Sequence, residues 1–317
     1  MVVKRTPGIS TTDLVGRMLL CTKGHFVKSV RGMLCGTEGS GSEQERAQYA
    51  SSLKERLKDY ATDESGLRPG PQVWAWVGSN AAKLEGTINE PGNFESLVAG
   101  KPPKPGQRIV YVDGGFDLFS SGHIEFLRQV LAIEESEGRQ RGWYDQAERE
   151  QRLKNHREDY GPAYIVAGVH DDGVINHWKG LNYPIMNIFE RGLCVLQCRV
   201  SSIVTPVVLI LVLLTLSQYI HAVVFSAPFS PSQQYLEAMP LGVPDVVYHG
   251  PTMFIPLTYD PYITPKQMGI FRETSKHAFQ HVNAGQIVER ILKSREAYEA
   301  RQRVKLQKGV VEDQVKS

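Results

Sequence analysis

Asp113, Gly114, Gly115, Phe116, Asp117, Leu118, Phe119, Ser120, Ser121, Gly122 and His123 follow one another in a chain of 317 residues, and no other run is so dense in residues able to do chemistry. The glycines let the backbone approach an anion closely. Before the run lies RIVYVD (108–113), apolar and β-branched as a buried strand is, and after it IEFLRQVLAIEESEGR (124–139), apolar at helical spacing. A strand, a glycine-rich turn and a helix in this order present free N–H groups and a partial positive charge to a phosphate. His123, at the helix start, would then donate to a phosphate oxygen as negative charge builds up on it. On composition alone the same run also reads as an ordinary turn with an exposed histidine.

The elements around the run must hold it in place. AYIVAGVH (163–170), HAVVFSA (221–227) and DVVYHG (245–250) read as further strands, NIFERGLCVLQCR (187–199) as a helix, and the chain closes with a helix from Ala284 whose stripe is Ile287, Val288, Ile291 and Leu292. Strands alternating with helices specify an α/β fold, a parallel sheet with helices on both faces. STTDLVGRMLL (10–20) reads as a capped amphipathic helix with nothing before it. Between Cys35 and Gln107 the pattern weakens: GTEGSGSEQE is flexible in composition, LKERLKDY could be a short helix, and GKPPKPGQ is rich in breakers. The expected organisation is a remnant of an earlier unit over 1–34, a linker over 35–107, a domain over 108–305 and a charged tail over 306–317.

The run YVDGGFDLFSSGHIEFL resembles the signature of the cytidylyltransferase family, a glycine-phenylalanine-aspartate segment followed by histidine-any-glycine-histidine. The resemblance implies a Rossmann-like nucleotidyltransferase fold in which this motif binds the phosphates of CTP, through Asp113, Gly114, Gly115, Phe116, Asp117, Ser120, Gly122 and His123. Ser120 stands where the family has its first histidine. Losing one transition-state donor of this kind costs on the order of a hundred- to a thousandfold in rate, so the expectation is a domain that binds nucleotide and turns it over weakly. VAGVHDDGVINHWKG resembles the family's second strand and lysine loop and puts Lys179 in the place of a phosphate-contacting lysine. Arg5-Thr6-Pro7-Gly8-Ile9-Ser10-Thr11-Thr12-Asp13 resembles the motif that ends a catalytic unit, where Arg5, Thr6, Gly8, Ser10 and Thr11 would hold phosphates. Taken alone, a hydroxyl start before an apolar run is usually only a helix cap.

A unit tail, a linker and a second unit resemble the tandem members that act on phosphoethanolamine. The implied reaction joins CTP and phosphoethanolamine to give CDP-ethanolamine and pyrophosphate, with Mg²⁺ on the triphosphate, no protein-held metal, and room for a homodimer. Choline-phosphate and glycerol-phosphate remain alternatives. So does a regulatory nucleotide-binding domain, which Ser120 and Asn283-Ala284-Gly285, in place of a serine-threonine helix start, both favour.

Composition limits the other readings. With 41% apolar and 22% charged residues and a net charge of +2, the chain is globular and carries no field that would draw nucleic acid. Cys21, Cys35, Cys194 and Cys198 have no metal-site spacing, and the first residues lack the apolar core of a secretory signal, which points to the cytoplasm. Residues 200–218, VSSIVTPVVLILVLLTLSQ, are uncharged and long enough to be read as a membrane span. A single crossing would place HAVVFSA on the far side of a bilayer from the other strands, where sheet pairing is impossible. Removing these 19 residues joins LQCR to YIHAVVFSA in a continuous helix-to-strand connection, and their 57 nucleotides could form a short intron read in frame. A retained intron is the favoured reading, with a membrane anchor and an unusual core helix as alternatives.

Overall fold

The computed structural model describes residues 10–63, 65–78, 92–201, 216–251 and 259–296, together with 299 and 301. At its centre β3 (Arg108–Gly114) and β4 (Ala163–His170) run parallel, in register from Arg108 opposite Ala163 to Gly114 opposite Val169. β7 (Ala222–Ala227) lies beside β4, and β8 (Val246–His249) beside β3 with β9 (Phe271–Glu273) beyond it, all parallel. The expected α/β architecture is present.

With β1 (Gln72–Val77) and β2 (Asn93–Val98), sheet order is β2-β1-β7-β4-β3-β8-β9, so strand order reverses at β3. A crevice opens at the carboxyl ends of strands at such a reversal, and ligands of open α/β sheets bind there. All eight residues of β4 are buried, as befits a strand covered on both faces. Alternation splits the core in two. Val110, Val112, Ile165 and Ala167 pack on one face with Leu127 and Val130, whereas Tyr111, Tyr164 and Val166 pack on the other with Val224 and Tyr235. Gly168 makes this possible, because a Cβ there would stand 2.2 Å from the Tyr111 hydroxyl.

The stretch 35–107, expected to be a linker, carries α3 (Glu43–Tyr60), β1 (Gln72–Val77) and β2 (Asn93–Val98). β1 pairs parallel with β7 and β2 antiparallel with β1, so both belong to the main sheet. Leu53, Leu57, Ala61 and Val73 share a core cluster with Val27, Val30, Leu34 and Val110, which makes α2 (Val30–Cys35) and α3 part of this body, while α1 (Thr11–Leu20) packs through Met18 against Ile185 and Val288. Breaker-rich flanks hide β1 in the sequence. Its partner lies far along the chain, so no local pattern announces the pairing.

Four helices frame the crevice: α4 (Ser121–Gln140) after β3, α6 (Asp172–Lys179) after β4, α7 (Ile188–Leu196) before β7, and α10 (Ala284–Lys293) near the end. α5 (Gln146–His156) precedes β4, and the short α8 (Gln233–Glu237) and α9 (Ile263–Gln267) flank β8. α6 falls in the stretch read as the lysine loop, and α5 in one to which the sequence assigned no element.

The apolar stretch begins and ends in a ladder. β5 (Arg199–Ser201) and β6 (Leu216–Gln218) pair antiparallel, Arg199 opposite Gln218 and Ser201 opposite Leu216. Among the described residues no helix is long and apolar enough to cross a membrane, and residues 202–215 lie outside them.

Candidate functional site

The glycine-rich turn closes a cavity of about 230 Å³ at the carboxyl ends of β3, β4 and β8. Of the expected residues, Asp113, Gly114, Gly115, Phe116, Asp117, Gly122, His123 and Lys179 line it. Phe116 and Leu118 hold left-handed backbone at φ +49° and +47°, a strained conformation for such side chains that is typical of functional turns. Gly122 is required by contact, since a Cβ would stand 2.8 Å from the Val282 carbonyl and 3.0 Å from that of Phe279.

His123 is oriented by its own turn. Its Nδ1 accepts the Ser120 backbone N–H at 3.1 Å, which leaves the neutral ring with its proton on Nε2. Burial, with a smaller push from Lys179, lowers its pKa to about 4, so the ring is a neutral donor at pH 7. Phe119 stacks on it at 5.2 Å. Ser120 does not line the cavity; it caps α4, and its hydroxyl donates to Val282 O at 2.9 Å, tying the turn to the segment before α10.

Asp113 and Asp117 have separate tasks. Asp117 accepts the backbone N–H groups of Ile185 and Met186 at 2.8 and 2.9 Å and so fastens the turn to the loop after Lys179. Asp113 accepts the Tyr262 hydroxyl through Oδ1 at 2.6 Å, while its buried Oδ2 has no partner. Burial outweighs the Tyr262 bond and raises the Asp113 pKa to about 7. Lys179 ends α6; its side chain remains accessible, and desolvation lowers its pKa against the opposing pull of Asp117.

The remaining walls were not foreseen. His170 ends β4 and His249 ends β8, and burial lowers the pKa of both, that of His170 to about 4. Phe229 stacks on Trp178 at 5.1 Å, and Tyr262 packs against His249 at 4.6 Å. His277 and Gln280 line the cavity and bring buried polar atoms without partners, Nδ1 and Oε1. Asn283 lines it too and caps α10 by accepting from Gln286 N at 3.1 Å, which fills the place expected of a serine-threonine start. Of these residues the sequence singles out Asn283 alone, within Asn283-Ala284-Gly285.

Ser10 caps α1, accepting from Asp13 N at 2.9 Å, and neither Ser10 nor Thr11 lines the cavity. Arg5, Thr6 and Gly8 lie outside the described residues. Behind the cavity Arg191, fully buried, donates to the carbonyls of Gly115 at 2.6 Å, His170 at 2.7 Å and Met186 at 3.0 Å, and to Asp172 at 2.6 Å. One guanidinium thus ties the ends of β3 and β4 to the loop before α7. Among the described residues no three His, Cys, Asp or Glu are grouped to hold a metal.

The cavity at the strand reversal is thus lined by a neutral histidine donor, a lysine and a carboxyl group with an unpartnered oxygen. No family model matches the chain. It is 32% identical over 310 residues to the mouse ethanolamine-phosphate cytidylyltransferase, covering 95% of this chain and 60% of the mouse protein. Against the Dictyostelium discoideum protein of the same name it is 32% identical over 312 residues, covering 97% of this chain and 64% of that one. The Arabidopsis thaliana protein of that name is 26% identical over 303 residues, 94% of this chain and 54% of the relative. This chain therefore spans somewhat over half the length of the curated relatives it matches. In an α/β fold of this order, and along nearly its whole length, the chain is similar to ethanolamine-phosphate cytidylyltransferases.

Proposed function

We propose that the cavity binds CTP and phosphoethanolamine and transfers CMP between them, releasing pyrophosphate. The observation that carries this reading is one cavity lined by both Asp113, whose buried Oδ2 has no partner, and His123, whose Nε2 bears the ring proton. A phosphate oxygen of phosphoethanolamine attacks the α-phosphorus of CTP in line; the new P–O bond forms as the bond to the β-phosphate oxygen breaks, and pyrophosphate leaves with the electron pair. No covalent step falls to the protein, so positioning and charge neutralisation do the catalysis.

His123 donates to an oxygen of the reacting phosphate, Lys179 offsets charge at the rim, and the N-terminus of α4 adds its free N–H groups. Asp113, ionised when a cation arrives, accepts the substrate ammonium through Oδ2. Mg²⁺ enters as part of the nucleotide substrate, held by the triphosphate. A cytoplasmic setting and a homodimer fit this reading.

Ser120 favours a second reading, a domain that holds CTP without turning it over. Calorimetric titration with CTP·Mg, run beside a pyrophosphate-release assay with phosphoethanolamine, separates the two: binding with release supports transfer, binding alone supports the regulatory domain, and no binding removes both.

A further inference from the structure

We infer that Arg17, on a helix distant in sequence from the cavity, is a positioning residue for the lysine loop and the glycine-rich turn. This rests on the reading of the cavity as a CTP site. Residues 180–187, which follow Lys179, take no part in the sheet, so side chains must satisfy their backbone groups. On the cavity side Asp117 accepts the N–H groups of Ile185 and Met186. On the opposite side Arg17 Nη1 donates to Ile185 O at 2.9 Å.

Arg17 is itself held rigidly. It is 8% exposed and makes a bidentate pair with Glu190 of α7 at 2.7 and 2.9 Å, a second ion pair with Asp13 at 2.6 Å, and its own carbonyl accepts from Asn182 Nδ2 at 2.7 Å. His25 extends the clamp by donating from Nε2 to Pro184 O at 2.8 Å. Ile185 is therefore gripped at its N–H by the turn and at its carbonyl by α1. A planar fork can span Ile185 and Glu190 together, which a lysine ammonium cannot do. Releasing Arg17 frees the loop, and through Asp117 it frees the turn that carries His123.

Two measurements on the full chain test this. By hydrogen exchange, without ligand, the Ile185 and Met186 amides should exchange faster in Arg17→Met while the β3 and β4 amides hold; unchanged exchange at these two amides overturns the inference. By calorimetry, Arg17→Met and Lys179→Ala should each weaken CTP·Mg binding about tenfold, as the loss of a charged hydrogen bond does. The double variant should be no weaker than about the worse single, because both act through one loop. Multiplying losses, or wild-type affinity in Arg17→Met, would show a role in stability alone. Should Arg17→Met not fold, Arg17→Lys replaces it, with faster exchange at the same amides expected and wild-type exchange overturning the claim. If the wild-type chain binds no CTP, the nucleotide reading falls, and the exchange result still decides whether Arg17 holds the loop.

Discussion

At the scale of the residue, the cavity sorts its titratable groups by what burial does to them. His123 is neutral throughout the physiological range, so on the proposed function it acts as a donor and His123→Ala should lower turnover about a hundred- to a thousandfold. A pH–rate profile with no step near pH 6.5 from this ring would agree. Asp113 differs, since its pKa of about 7 sits where cells operate. An ammonium ion needs the ionised carboxylate, so affinity for phosphoethanolamine should rise as pH rises through 7. The phosphate of the substrate, with its second pKa near 6, contributes in the same direction. Asp113→Asn separates them: titration of that variant from pH 6 to 8 should show weaker binding and only the phosphate's shallower slope. A slope unchanged from wild type would remove Asp113 from ammonium recognition.

At the scale of the element, two junctions make opposite predictions. Where α4 begins, Gly122 meets the carbonyls of Phe279 and Val282 with no space for a methyl. Gly122→Ala should therefore destabilise the fold by about 1–3 kcal/mol, read from denaturant unfolding. Where β5 meets β6, Arg199 and Gln218 stand opposite each other, so the ends of the apolar stretch already touch. Tyr219 and Ile220, just beyond, are buried in the core. Joining Arg199 directly to Tyr219 should leave a cooperative protein whose melting temperature differs by no more than about 4 °C, the shift that about 1 kcal/mol gives at this size. Loss of cooperative melting would show that residues 200–218 belong to the core and would count against a retained intron.

At the scale of the molecule, the described residues before Gly100 are part of the folded body. Leu53, Leu57 and Val73 are at most 2% exposed, and Val73 lies on a strand of the main sheet. Leu57→Ala should cost about 2–5 kcal/mol, and a chain beginning at Gly100 should fail to fold, which circular dichroism and near-ultraviolet spectra would show. That expectation reverses the linker reading and shows where sequence legibility ends. The turn from Asp113 to His123 was readable because glycine spacing, strand and helix periods are all local. α6 was missed because Asp172–Lys179 is eight residues with polar groups on most sides. Tyr262, His277 and Gln280 reach the cavity only through the crossing of β8 and the return to α10, and a sequence does not display that convergence.

The unfilled oxygen of Asp113 ties protons, folding and ligand into one equilibrium. Its ordinary pKa is 3.8 and its folded value about 7, so folding takes up a proton between those limits. Above pH 7 the native state carries a buried charge that the unfolded chain solvates freely; the cost of that burial sets in as pH rises from about 4 to 7 and is complete beyond it. A cation bound at Oδ2 would offset that cost. Raising the pH from 6 to 8 should therefore lower the melting temperature of the empty protein, less so with phosphoethanolamine present, and Asp113→Asn should reduce the difference. On the proposed function, a position that weakens the fold above neutral pH is shaped by the cation it would hold.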